Sequence, residues 1–191
     1  MAEYYLDIET TGLEPESCKI ITIQYQELER NTGKPAGRLN ILKEWESSEK
    51  DIIRQFMEDS DVMDPYEFSF IPVGYNLNFE HNFLKTRSET HGLGTIDILN
   101  HPFIDLRAFG VIMNRGEFKG SGLDKITAKP IPGINVPIWY ENGQYDTIVK
   151  YIEDETKAFL QLNEWLYREM PLFLERFKRE NNISDGPSGR E

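Results

Sequence analysis

Cysteine is nearly absent: Cys18 is the single thiol in 191 residues, so the chain can close no internal disulfide and build no multi-cysteine zinc site. Long apolar runs are missing too; no stretch approaches 18 residues, which excludes a transmembrane helix. The opening MAEYYLDIETTG lacks the basic start of a signal peptide and already reads as a strand. Positive charge is scarce, with 21 Lys and Arg against 33 Asp and Glu and a formal net charge of -12. That balance argues against a nonspecific grip on phosphate backbones. These absences lead to the expectation of a soluble, cytoplasmic protein with no membrane partner. At 39% hydrophobic residues the composition is not that of a disordered chain, and its length suits one domain. The expected division is a single domain over 1–180 and a flexible C-terminal tail over 181–191.

The acidity is uneven. Residues 1–80 hold 17 acids and 7 bases, whereas 81–130 hold 5 acids and 7 bases. An anionic ligand is therefore least repelled by the middle of the chain, where Lys85, Arg87 and Lys125 are candidate phosphate contacts.

Apolar periodicity predicts strands over residues 3–9, 19–27 and 38–45, forming an antiparallel meander. A helix capped by Ser47 or Ser48 should run to about Met57. A buried strand, FSFIPVGYN, precedes a helix over 78–91 with Asn78 as its N-cap. HPFIDL reads as a short strand, GSGLDKITAK as a short helix, and PIPGINVPIWYENG as a proline-rich connector. A long helix is expected over 145–167, with a separate one over 171–180. Strands first, then strands alternating with helices, predict an α/β fold whose mixed sheet carries helices on both faces.

Acids occupy positions where this pattern calls for apolar side chains. Period-two alternation in YYLDIE puts Tyr5, Asp7 and Glu9 on one strand face, opposite Leu6 and Ile8. Two carboxylates so placed either face solvent or, if buried, need a hard divalent cation to cancel their charge. On the long helix Ile148, Ile152, Phe159, Leu162 and Leu166 form a stripe. Glu155 falls within roughly 20° of its centre, while Asp154 lies about 120° away. Tyr151 sits one turn before Glu155 on the same side. Glu80 falls in the first turn of its helix, a position the helix dipole favours for any acid.

Taken in order, LDIETTGL, VGYNLNFEHNFL and YIEDETKAFLQL resemble the three motifs of the DEDD 3′-5′ exonucleases, tyrosine branch, within the ribonuclease H-like superfamily. The resemblance spans about residues 3–167. Glu80 and Glu155 stand where the family pattern has Asp, each one methylene longer. The histidine branch is excluded, because no His follows His101. The resemblance implies a ribonuclease H-like fold with a central mixed sheet of five to six strands flanked by helices. It implies a metal-dependent 3′-5′ exonuclease that hydrolyses single-stranded DNA or RNA from its 3′ end. Asp7, Glu9, Glu80 and Glu155 would hold two divalent cations, Mg2+ or Mn2+, and Tyr151 would orient the attacking water. Thr10, Thr11, Leu13 and Asn76 would contact the substrate. Two rivals share the fold: a catalytically weak or inactive binding or scaffold module, and an endonuclease of the ribonuclease H kind.

Overall fold

The computed structural model describes residues 2–127 and 133–183. Three antiparallel strands come first: β1 (Glu3–Thr10), β2 (Ile20–Leu28) and β3 (Asn40–Lys43). Two parallel strands, β4 (Ile71–Gly74) and β5 (Ile104–Asp105), extend the sheet beyond β1. The order is β3-β2-β1-β4-β5, a mixed five-stranded sheet with β1 at its centre.

Side-chain alternation along β1 divides the core between the two faces. Leu6 and Ile8 pack with Ile52, Ile53 and Phe56 of α1 (Glu49–Ser60) and with Phe83 and Leu84 of α2 (Asn78–Thr90). On the opposite face Tyr5 packs with Phe159, Leu162 and Leu166 of α6 (Tyr145–Glu180). The short helices α3 (Arg107–Met113), α4 (Leu123–Ile126) and α5 (Val136–Glu141) complete that second layer. Among the described residues no helix is long and apolar enough to cross a membrane.

Four expectations change. α1 is capped by Ser48, whose hydroxyl accepts the Asp51 N–H at 3.2 Å, and it runs to Ser60 rather than Met57. Asn78 is helical and does not cap α2. The Asp105 carboxylate at the end of β5 caps that helix instead, accepting the N–H groups of Asn76 (2.8 Å) and Leu77 (3.0 Å). The supposed connector contains α5, because Pro137 lies in the first turn, where its missing N–H costs no helical bond. Residues 145–180 form one helix through Pro171 rather than two. Of the expected tail, residues 184–191 lie outside the described residues.

Glu49 knits the first layer together. It is buried, accepts two bonds from the Arg87 guanidinium (2.9 and 2.7 Å), meets His91 Nε2 at 2.8 Å and accepts the Ile20 N–H at 2.8 Å. Burial works against its charge, yet these partners hold the carboxyl below its ordinary range. Arg87, one of the candidate phosphate contacts, thereby has its guanidinium engaged by Glu49.

Candidate metal centre

β1 and α6 bring the candidate acids together. One oxygen each from Asp7, Glu9 and Glu155 lies within 4.8 Å of the others. Asp7 and Glu9 point to the α6 face because they share the parity of Tyr5, and Tyr5 is packed against Phe159 at 4.7 Å between ring centroids. Glu155 reaches them from the buried stripe of α6, while Asp154 is exposed. Glu155, on the buried stripe, is thus the acid that joins the cluster.

Glu80 approaches from the other side of β1, in the first turn of α2. It is 3% exposed and hydrogen-bonded to Asp7, and its Oε2 is buried without a hydrogen-bond partner. Burial, and then the charge of Asp7, push its carboxyl well above the usual carboxylate range. Three converging carboxylates and a fourth with an orphaned oxygen form an all-oxygen donor set, which suits a hard divalent cation. The longer Glu80 side chain thus still reaches Asp7.

Tyr151 lies one turn before Glu155 and is hydrogen-bonded to it. Burial, then the charges of Glu9 and Glu155, raise its pKa far above that of a free phenol, so the hydroxyl keeps its proton. The Trp139 ring of α5 stands 5.8 Å away, and a Cβ built on Gly133 would lie 2.8 Å from the hydroxyl. The segment read as a connector therefore forms the wall that fixes Tyr151.

The remaining expected residues make contacts of their own. Thr10 ends β1 and donates to the Gly12 carbonyl at 2.6 Å. Thr11 and Lys19 exchange two bonds of 3.0 Å, which closes the loop after β1 and leaves Leu13 78% exposed at its tip. Asn76 adopts a left-handed conformation (φ 74°), with its Oδ1 accepting from Arg107 Nη1 at 2.5 Å. Lys85 stands 4.0 Å from Asp97, and Lys125 3.0 Å from Asp124.

Sequence reasoning missed several neighbours. A cavity of about 180 Å³ opens beside Asp7 and Glu155, with Tyr75, Leu123 and Asp124 on its far wall. Tyr75 donates to the Ser121 carbonyl, which ties the α4 region to that wall. On β2, Thr22 and Gln24 are fully buried opposite Glu9 and Asp7. Their signal was the polar alternation Thr22, Gln24, Gln26, which ordinarily marks a solvent face.

A family model described as the RNase_H superfamily matches residues 4–167. Among solved structures, the zinc-ion-bound form of the E. coli ExoI–ssDNA complex is similar, with a TM-score of 0.60 at 12% identity. The match covers 92% of this chain and 42% of that one, so the chain spans less than half of its length. No curated protein matches. The central mixed sheet with helices on both faces is accordingly an RNase H-like α/β fold.

Proposed function

Because the chain belongs to the RNase_H superfamily, we propose that it is a divalent-metal-dependent 3′-5′ exonuclease that shortens single-stranded DNA or RNA from the 3′ end. The convergence of Asp7, Glu9 and Glu155 within 4.8 Å carries this reading. The likeness to a protein complexed with single-stranded DNA supports a strand as substrate.

Asp7, Glu9, Glu155 and Glu80 would hold two Mg2+ or Mn2+ ions, whose chemistry is to acidify a bound water and to stabilise a leaving 3′ oxygen. The protein's own groups bind and orient. Tyr151 keeps its proton, so its hydroxyl positions water beside Glu155 and does not act as the base. Leu13, exposed at the loop tip, offers an apolar surface to the terminal nucleotide, and Thr10 and Thr11 fix the loop that carries it. Asn76 is held by Arg107 at the start of α2, at the edge of the centre. The net charge of -12 suits this mode, since an enzyme that meets a chain end through cations needs no long basic groove.

The test is degradation of a single-stranded oligonucleotide in Mn2+ or Mg2+, with EDTA and Asp7→Asn as controls. Shortening with metal and none in either control is expected. A folded, Mn2+-binding protein that leaves every strand intact would instead assign the chain to the scaffold reading.

A further inference from the structure

Asp7 is gripped from β2 by a buried amide. Gln24 is 0% exposed and lies directly opposite Asp7 in the antiparallel register; its Nε2 donates to Asp7 Oδ2 at 2.8 Å. The other end of the amide is also engaged: Gln24 Oε1 accepts the Thr22 hydroxyl at 3.0 Å, and Thr22 is 0% exposed and opposite Glu9. An amide can be turned end for end at little cost, and the reversed orientation would set its oxygen against the carboxylate. The acceptor-only Asp7 carboxylate selects the orientation that aims the NH2 group at it, and the Thr22 hydroxyl, by satisfying Oε1, braces the amide there.

From the other side Tyr5 donates to the same Asp7 Oδ2 at 3.3 Å, and Thr156, the residue after Glu155, donates to Tyr5 at 3.3 Å. The chain Thr22, Gln24, Asp7, Tyr5 and Thr156 therefore links β2, β1 and α6 through polar groups, all of them buried except the half-buried Asp7. Two donors on one oxygen fix the carboxylate rotor before any ligand arrives. Hydrogen bonds of this kind to ligating carboxylates typically govern metal affinity by about 10- to 100-fold.

We propose that Gln24, braced by Thr22, is a positioning residue that holds Asp7 in its metal-binding rotamer. This rests on the metal-centre reading above. Gln24 touches neither the substrate nor the ion; it acts through Asp7.

The test measures Mn2+ binding to the full chain by calorimetry for the wild type, Gln24→Met and Thr22→Val, with thermal unfolding of each in EDTA. Gln24→Met keeps the side-chain volume and removes the donor. Its dissociation constant is expected to rise about 10- to 100-fold, and Thr22→Val to show a smaller rise of the same sign. A merely structural role would lower the unfolding temperature in EDTA and leave the dissociation constant of the folded protein unchanged. That result, wild-type affinity within twofold in a folded Gln24→Met, overturns the proposal. If Gln24→Met does not fold, Thr22→Val decides alone, and wild-type affinity there overturns it equally. A wild type that binds no Mn2+ at millimolar concentration overturns the metal-centre reading and this inference together, so the two failures are told apart.

Discussion

Replacing Asp7 by Asn should reverse the order of stability between metal-free and metal-loaded protein. In EDTA, Asp7 has Glu9 and Glu155 within 4.8 Å and Glu80 in hydrogen-bond contact. Two unit charges at about 5 Å repel by about 3 kcal/mol at an effective dielectric of 20. Asp7 and Glu155 are only half-buried, so solvent screening reduces each pair to about 1 kcal/mol. Against that relief stands the lost charge assistance in the bonds from Gln24 and Tyr5, about 1–2 kcal/mol in all. Glu80, hydrogen-bonded to Asp7, adds no repelling pair. The metal-free variant should therefore match the wild type or exceed it by up to about 1 kcal/mol, a rise of no more than about 4 °C at this chain length. With Mn2+ at a hundred times its dissociation constant the wild type gains about 2.7 kcal/mol by mass action, or about 5–10 °C, and the variant gains far less. Circular dichroism melts in EDTA and in Mn2+ read both effects. A metal-free Asp7→Asn that melts more than about 8 °C below the wild type would refute the repulsion argument and make Asp7 a structural residue.

Tyr151→Phe removes the hydroxyl that faces Glu155, so turnover on a labelled oligonucleotide should fall about 10- to 100-fold while Mn2+ affinity is retained. Arg87→Ala leaves the buried Glu49 carboxylate with fewer partners and should cost about 2–4 kcal/mol in urea unfolding without altering Mn2+ binding. The folded pKa of Glu49 is depressed, so its contribution is present above the unfolded carboxylate value and lost as pH falls through the folded one. Arg87→Ala should consequently flatten the acid limb of the stability curve, which unfolding measured from pH 7 downward checks. Tyr167→Phe removes the 2.6 Å bond to the buried Glu3 carboxylate and should cost about 1–3 kcal/mol, measured the same way.

The parts of the site set by local periodicity are legible in the sequence. Alternation in YYLDIE placed Asp7 and Glu9 on the Tyr5 face, and the helical stripe chose Glu155 over its exposed neighbour Asp154. What stayed hidden depends on groups distant in sequence. The cap of α2 is Asp105, 28 residues from the Leu77 N–H it accepts, so no reading of the sequence around Asn78 could reveal it. Two prolines misled in opposite settings: Pro137 begins a helix and Pro171 sits inside one. The most instructive miss is β2. Polar alternation at Thr22, Gln24 and Gln26 is the pattern of a wet face, yet here Thr22 and Gln24 are buried and Gln24 turns towards the half-buried Asp7 carboxylate, which needs donors.

Polarity of degradation tests the central claim most directly. A single-stranded oligonucleotide labelled at its 5′ end is incubated with the protein and Mn2+, beside the same strand blocked at its 3′ end and a set in EDTA. The account predicts a ladder of labelled products shortening progressively from the 3′ end, protection by the 3′ block, and no products in EDTA. Immediate release of a labelled mononucleotide, internal cuts in the blocked strand, or undiminished cleavage in EDTA would contradict it.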